Sequence, residues 1–450
     1  MRLFGTSGIR GEVFKRITPE LFFGLGKAIA SSLSENSNIV VATDTRVTKD
    51  LLKSALISGL LTGNVNVVDI GIAPTPVLAF LTKQYDTGVM ITASHNPPEY
   101  NGIKLWRDGM AYTVHDEQII EDALMWNEYR KPSWNKIGTL KYDDNVKKAH
   151  TDELLKRIEI KKQFRVVVDS GNGAASGYAS TVFKNAGLDV LPINDDPDGL
   201  FPNRSPEPTE ETLKETISFL RKENADLAVC FDGDADRVVF CDKEGFIGYN
   251  EAISFISRLK ILQEKERRIK KVVTTVETGR LLDYAIADLG GEVIRGKVGD
   301  GYVGHGVKDE GASLGVEQVG VFIMPEMGYY PDSIYAALYL LANIEEITDI
   351  RAFLEEIPAL YFDKKGVPVA DKQKYEVMEC VHSHLGAFPD HRINSLDGLR
   401  LDFEDSWILI RASGTQPLIR VIAESKDRDE LKKLIDLGIQ VVNEAKRELK

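Results

Sequence analysis

Apolar and polar positions follow two interleaved rhythms along the chain. NIVVATD (38–44) and VNVVDIG (65–71) are short, nearly unbroken apolar runs, as expected of strands buried on both faces. Around them apolar residues recur three or four apart. Leu21, Phe22, Leu25, Ile29 and Leu33 share one face of a helix that Thr18 caps and Pro19 opens, and residues 51–61 predict a second helix. Short strands between amphipathic helices require crossovers, and so a largely parallel sheet.

The rhythm restarts twice. FRVVVDSGNGAASG (164–177) opens a second round that closes on ADLAVCFDGDADR (225–237). KKVVTTVETGR (270–280) opens a third, ending near GASLGVEQVG (311–320). Polar stretches at 141–152 and 263–271 read as a linker and a surface excursion. Beyond about residue 365 the pattern changes: a helix over 372–385 precedes LRLDFED, WILIRAS and LIRVIAES, then a long terminal helix. That is a smaller α+β domain with antiparallel strands. Length alone suggests about three domains. The pattern divides the 450 residues into four, at 1–148, 149–249, 250–365 and 366–450.

Composition narrows the partners. A net charge of −13 argues against nucleic acid and anionic membranes as the main ones, while a local basic cleft can still take an anionic substrate. Cys230, Cys241 and Cys380 have no paired spacing, which fits a reducing compartment. The opening MRLFGTSGIRG lacks the apolar core of a signal peptide, and the longest apolar run, 334–342, falls short of the ~20 residues of a spanning helix. A cytoplasmic location is expected.

Four segments carry candidate chemistry. In GVMITASHNPPEYNGIK (88–104), an apolar strand delivers Ser94 and His95 into a break made by Pro97 and Pro98, with Lys104 following. A serine displayed at such a turn is a candidate nucleophile or phosphate carrier. In FDGDADR (231–237), Asp232, Asp234 and Asp236 follow an apolar strand; three hard oxygen donors suit Mg²⁺. An EF-hand fails, because Arg237 and Lys243 stand where glycine and glutamate belong. An aspartyl-nucleophile phosphatase expects Thr or Val at Asp236, and an acidic surface turn is the plain alternative.

In RASGTQPLIR (411–420), Ser413, Gly414 and Thr415 offer donors in a turn flanked by Arg411 and Arg420, a phosphate anchor or else a polar hairpin. In LGVEQVGVF (314–322), Glu317 and Gln318 interrupt an apolar run that can equally be a strand end. DSGNGAAS (169–176) narrowly misses the dinucleotide fingerprint, with Ser176 in place of the third glycine, which disfavours a nicotinamide cofactor. A hydroxyl carrier, a carboxylate metal loop and an arginine-flanked anchor together suit phosphoryl transfer, which needs positioning and charge neutralisation above all.

The set resembles the α-D-phosphohexomutases, the superfamily of phosphoglucomutase, phosphomannomutase and phosphoglucosamine mutase, in its archaeal-type version. The family's T-A-S-H-N-P loop is Thr92 to Pro97, its D-G-D-(G/A)-D-R loop is Asp232 to Arg237, and its R-(P/A)-S-G-T-E-P loop matches Arg411 to Pro417 except at Gln416. The resemblance spans FGTSGIRG (4–11) to Arg420. It implies three similar mixed α/β-sheet domains and a C-terminal α+β domain around a central active-site cleft. The four would carry, in order, the phosphoserine, metal, sugar-binding and phosphate-binding loops.

It further implies that Ser94 carries a phosphoryl group, passes it to a hexose phosphate to give a 1,6-bisphosphate, and recovers the other phosphate once that intermediate has turned over. The hexose 1,6-bisphosphate is then intermediate and activator, and Mg²⁺ is held by Asp232, Asp234, Asp236 and an oxygen on Ser94. Arg10, Lys104 and His95 would surround the phosphoserine, with Lys104 favoured for proton transfer and His95 orienting the loop. Arg237, Glu317, Arg411, Ser413, Gly414, Thr415 and Arg420 would bind substrate, and Lys297 and Asp300 would line the cleft.

The family's sugar loop is often G-E-x-S-G-H; here Val319 and Val321 replace the Ser and His, so the preference among glucosamine, mannose and glucose stays open. A monomer or homodimer is expected. A Mg²⁺-dependent sugar phosphatase and a non-catalytic sugar-phosphate-binding protein are the rival functions.

Overall fold

The computed structural model describes residues 3–264, 270–414 and 416–449. The chain forms two compact units, residues 1–252 with 319–347, and 253–318 with 348–450. The fold is built from four α/β domains.

In the first unit a seven-stranded sheet is ordered Ile9–Glu12, Tyr100–Arg107, Thr87–Ile91, Asn38–Thr43, Asn66–Ile72, Leu140–Tyr142, with Met110–Ala111 paired to Tyr100–Arg107. Asn38–Thr43 is parallel to both neighbours, as its two-sided apolar run requires. Helix Pro19–Ser32 begins where its cap was expected: Thr18 accepts a hydrogen bond from the Leu21 N–H. The expected linker at 141–152 is more ordered than its polarity suggests. Leu140–Tyr142 joins the sheet edge, and helix Lys148–Arg157 follows, burying only His150 and Leu154, one turn apart. Two apolar-facing positions in ten residues are too few to show in the sequence pattern.

The second sheet is ordered Phe246–Ile247, Val238–Cys241, Leu227–Phe231, Arg165–Asp169, Asp189–Ile193. Residues 319–347 belong to this unit. The Val238 N–H donates to Gly320 O at 2.9 Å, and Ser333 Oγ donates to Ala235 O at 2.6 Å from the start of helix Ser333–Ala342, whose first nine residues are buried. The apolar run 334–342 is therefore a core helix. Among the described residues no helix is long and apolar enough to cross a membrane.

His150 ties this segment down. Fully buried, it lies 2.9 Å from both Asp332 Oδ2 and the Tyr178 hydroxyl. His150→Phe keeps a ring but strands the buried Asp332 carboxyl, so unfolding stability should fall by about 2–3 kcal/mol. An unchanged denaturation midpoint in urea would show that the pair contributes nothing.

In the second unit Gly291–Gly296, Lys270–Thr275 and Leu314–Glu317 run parallel. Of the expected surface excursion, residues 265–269 lie outside the described residues, and residues 270 and 271 already belong to a strand. The C-terminal domain is a five-stranded antiparallel sheet, ordered Tyr361–Pro368, Leu418–Ser425, Ser406–Ala412, Leu399–Asp402, Arg392–Asn394. Ile408, Ile410, Ile419, Val421 and Ala423 pack under helices Lys374–Ser383 and Arg428–Glu448. The alternate residues Trp407, Leu409 and Ile422 pack on Val276, as the twofold period of a strand demands.

Candidate active site

The serine loop is held from below by an arginine. Arg46, fully buried, donates from Nη2 to Ser94 O (2.9 Å) and Asn96 O (2.6 Å), and from Nη1 to Pro97 O and Tyr100 O (2.8 Å). Its Nε donates to Asp44 Oδ2 (3.0 Å), which also accepts from Thr92 Oγ1 (2.6 Å). Four carbonyls converging on one guanidinium fix a turn that proline alone would only interrupt. Ser94 takes a left-handed φ of 50° within it. The sequence suggests an exposed serine at the tip of a turn. The structure corrects this: Ser94 is 0% exposed, because the aspartate loop 232–236 covers it.

That covering is close. A Cβ at Gly233 would lie 2.4 Å from Ser94 O, so only glycine lets the two loops approach this far. Ser94 Oγ donates to Asp232 Oδ2 at 2.7 Å and lies 3.2 Å from His95 Nδ1. Asp232, Asp234 and Asp236, all buried, each bring an oxygen within 4.8 Å of the others. Asp234 Oδ1 is buried without a hydrogen-bond partner among the described residues. An acidic set of this kind, with an unsatisfied carboxylate oxygen beside a serine hydroxyl, fits a hard divalent cation such as Mg²⁺.

Neighbouring groups divide the labour among the carboxylates. Burial first, then the charges of Asp236 and Asp234, push the Asp232 carboxyl well above the ordinary range. Burial pushes Asp234 upward too, but Lys104 Nζ at 2.8 Å and Thr75 Oγ1 at 2.7 Å outweigh it and hold Asp234 well below. Lys104 also pairs with Asp236 and is 4% exposed, so it is no surface cation. Burial, with the positive charges of Arg237, Arg10, Lys104 and Arg46, keeps His95 well below the ordinary histidine range, and its imidazole neutral. Arg10 pairs in register with Gly102, and the Arg237 N–H donates to Asp232 Oδ1 at 3.2 Å.

Two further supports lie in the second domain. Arg204 Nη2 donates to Phe231 O (2.6 Å), and Nε to the buried Asp169 (3.0 Å), fixing the strand end from which the aspartates emerge. The glycine-rich stretch 169–176 cradles the same loop through Ala174 N–H to Gly233 O at 2.9 Å.

In the second unit Glu317 Oε1 accepts from the Gly299 N–H at 2.8 Å, joining strand Leu314–Glu317 to the turn that contains Lys297 and precedes Asp300, the first residue of helix Asp300–Glu310. Arg411 and Arg420 face each other across two antiparallel strands. Arg411 is committed to carboxylates, with Nη1 at 3.1 Å from Glu277 Oε1 and Nε at 3.0 Å from Asp397 Oδ1. Ser413 Oγ accepts from the Gln416 N–H (3.2 Å), and Arg420 donates to Gln416 Oε1 (3.3 Å). Gly414 is exposed, and Thr415 lies outside the described residues. Lys374 Nζ, buried, donates to Ser413 O (2.6 Å) and Gln416 O (3.2 Å), closing the loop from beneath.

Arg46, Thr75, Arg204, Lys374 and Glu277 support the site without belonging to any of the four motif segments. Their only local signals are a D-T-R at a strand end for Arg46 and V-E-T-G after one for Glu277.

The chain matches four descriptions in succession: Phosphoglucomutase/phosphomannomutase alpha/beta/alpha domain I over residues 1–131, domain II over 142–245, domain III over 250–361, and the C-terminal domain over 366–437. It is 39% identical over 455 residues to a probable phosphoglucosamine mutase of Methanopyrus kandleri, covering 100% of this chain and 99% of that one. It is 37% identical over 451 residues to the phosphoglucosamine mutase of Methanococcus vannielii, covering 98% and 99%. A phosphoglucomutase/phosphomannomutase family protein of Burkholderia thailandensis shares the fold with a TM-score of 0.87 at 25% identity, covering 99% of this chain and 98% of that one.

Proposed function

Because the chain belongs to the phosphoglucomutase/phosphomannomutase family, we propose that this phosphohexomutase interconverts glucosamine 6-phosphate and glucosamine 1-phosphate through phosphorylated Ser94. The observation that carries the mechanism is the Ser94 hydroxyl, hydrogen-bonded at 2.7 Å to the first of three clustered carboxylates. The full-length relatives named phosphoglucosamine mutase support the sugar.

In the forward half-reaction the sugar hydroxyl attacks the phosphorus on Ser94. The new P–O bond forms to the sugar as the P–Oγ bond breaks, leaving a hexose 1,6-bisphosphate and a free serine. The second half-reaction reverses this at the other phosphate, and the bisphosphate added from outside restores a dephosphorylated enzyme. Asp232, Asp234 and Asp236 would hold Mg²⁺, which neutralises charge on the transferring group when bound.

Arg46 fixes the serine backbone while its Oγ changes partner. His95, neutral and 3.2 Å from Oγ, is placed to accept and return the proton exchanged between serine and sugar hydroxyl. Lys104 is less suited to that task, since two carboxylates hold its ammonium; it neutralises Asp234 and Asp236 instead. Arg10 and Arg237 supply positive charge around the phosphoserine. Glu317 binds a sugar hydroxyl or amine, with Lys297 and Asp300 beside it. Arg411, Ser413, Gly414, Thr415 and Arg420 grip the phosphate that is not reacting.

Glucosamine, mannose and glucose 6-phosphates assayed side by side, with a trace of the matching 1,6-bisphosphate, test the sugar. We expect kcat/KM for glucosamine 6-phosphate to exceed the others by about tenfold or more. Preference for mannose or glucose would overturn the assignment. Release of inorganic phosphate without isomerisation would overturn the mutase mechanism.

A further inference from the structure

One face of the C-terminal sheet carries three cations around the Glu277 carboxylate. Lys364, Arg420 and Arg411 project from neighbouring strands on the face that meets Val276, and Gly366, Arg420 and Arg411 stand in one register row. Glu277, which follows Val276, reaches into this row. Its Oε2 accepts from Lys364 Nζ at 2.9 Å and its Oε1 from Arg411 Nη1 at 3.1 Å. Glu277 is 5% exposed and Arg411 6%, whereas the Lys364 side chain is 28% exposed and Arg420 half-buried. Glu277 and Arg411 are thus the buried side of the cluster, and Lys364 and Arg420 its partly exposed side.

Arginines directly opposite each other on a sheet repel unless an anion lies between them. Here that anion is internal. Burial disfavours its charge, yet Lys364 and Arg411 outweigh burial and hold the Glu277 carboxyl below its ordinary range, so it is ionised. Asp397, on Arg411 Nε, supplies a second negative charge, and three cations against two carboxylates leave one net positive charge. That is modest for a site meant to hold a phosphate dianion.

We infer that Glu277 is a built-in counter-anion that Lys364, Arg411 and Arg420 share with the substrate phosphate, and that Lys364 is a third cation of that phosphate subsite. The inference rests on the phosphate-gripping role proposed for this loop. Its chemical sense lies in turnover. A bisphosphate that must release one phosphate and present the other cannot be anchored too tightly, because binding that is deep in every state slows release without helping the reaction. A carboxylate already in place takes back the cations' charge as the phosphate departs. It lowers affinity and keeps the arginines aligned between visits.

Titration of inorganic phosphate into the full-length enzyme by calorimetry, alongside steady-state kinetics, tests this. Glu277→Gln preserves shape and removes the competing charge. Phosphate should bind roughly tenfold more tightly, with KM and kcat falling together. Lys364→Met should weaken phosphate binding roughly tenfold and raise KM for both sugar phosphates. If Glu277 is only a strut for Arg411, the Gln variant will bind phosphate as wild type does or more weakly, and the counter-anion is overturned. If Glu277→Gln fails to fold, Lys364→Met alone decides, since unchanged affinity there removes Lys364 from the subsite and the shared-charge scheme with it. Phosphate binding that is indifferent to Arg420→Ala and to both variants would instead refute the loop's proposed role as an anchor.

Discussion

Ser94→Ala is expected to retain less than about one part in ten thousand of mutase activity while the protein still folds. Without the hydroxyl there is nowhere for the phosphoryl group to wait while the sugar turns, and no neighbouring nucleophile stands in for it. His95 is one residue away, but its role in the proposed cycle is to carry a proton. The structural cost is small and calculable in kind. Ser94 Oγ donates one hydrogen bond, to Asp232 Oδ2, and its loss costs about 1 kcal/mol. The backbone stays fixed, because Arg46 holds Ser94 O, Asn96 O, Pro97 O and Tyr100 O, none of which belongs to the side chain. Thermal unfolding should therefore shift slightly, and the added mass of one phosphoryl group, expected on the wild-type protein after incubation with a hexose 1,6-bisphosphate, should be missing from the variant. Near-wild-type turnover would end the phosphoserine mechanism.

The contrast between what the sequence announced and what it hid follows from the range of each interaction. Thr18 capping its helix, the buried strand Asn38–Thr43 and the alternating faces of the C-terminal strands are decided within a few residues. So are the serine loop and the run of three aspartates, whose spacing alone puts alternate carboxylates on one side of a turn. The supports are not local. Asp232 lies 138 residues from Ser94, and Thr75 lies 159 from Asp234. Each joins its partner only after two sheets have formed. Arg46 ends an ordinary polar strand tip until four carbonyls some 50 residues later fold onto it. Arg411 shows the converse. Its place beside Ser-Gly-Thr reads as an open phosphate fork, whereas Glu277 and Asp397 already occupy it. A local motif names the donors well and says nothing of the internal acceptors that compete for them.

Asp234→Asn should lower kcat by about a hundred- to a thousandfold with little change in sugar-phosphate KM. Asp234 keeps its charge where Asp232 does not: Lys104 at 2.8 Å and Thr75 at 2.7 Å outweigh burial and keep its carboxyl ionised, while burial and its neighbours raise Asp232. Its other oxygen is buried with no donor among the described residues, the position from which a divalent cation would draw most. The amide removes that charge without changing volume. It also presents N–H₂ either to the Lys104 ammonium or to the ground a cation would occupy, and both contacts are repulsive. Lys104 then loses its ion pair with Asp234 and keeps the one with Asp236. Since Asp234 has no part in the phosphate grip proposed for residues 411–420, inorganic phosphate should bind there in the variant as in wild type. A Mg²⁺ titration of turnover distinguishes the alternatives. The expected variant needs far more Mg²⁺ and never regains the full rate. Wild-type activity that persists in excess chelator, or a variant rate equal to wild type, would remove the aspartate loop from the chemistry.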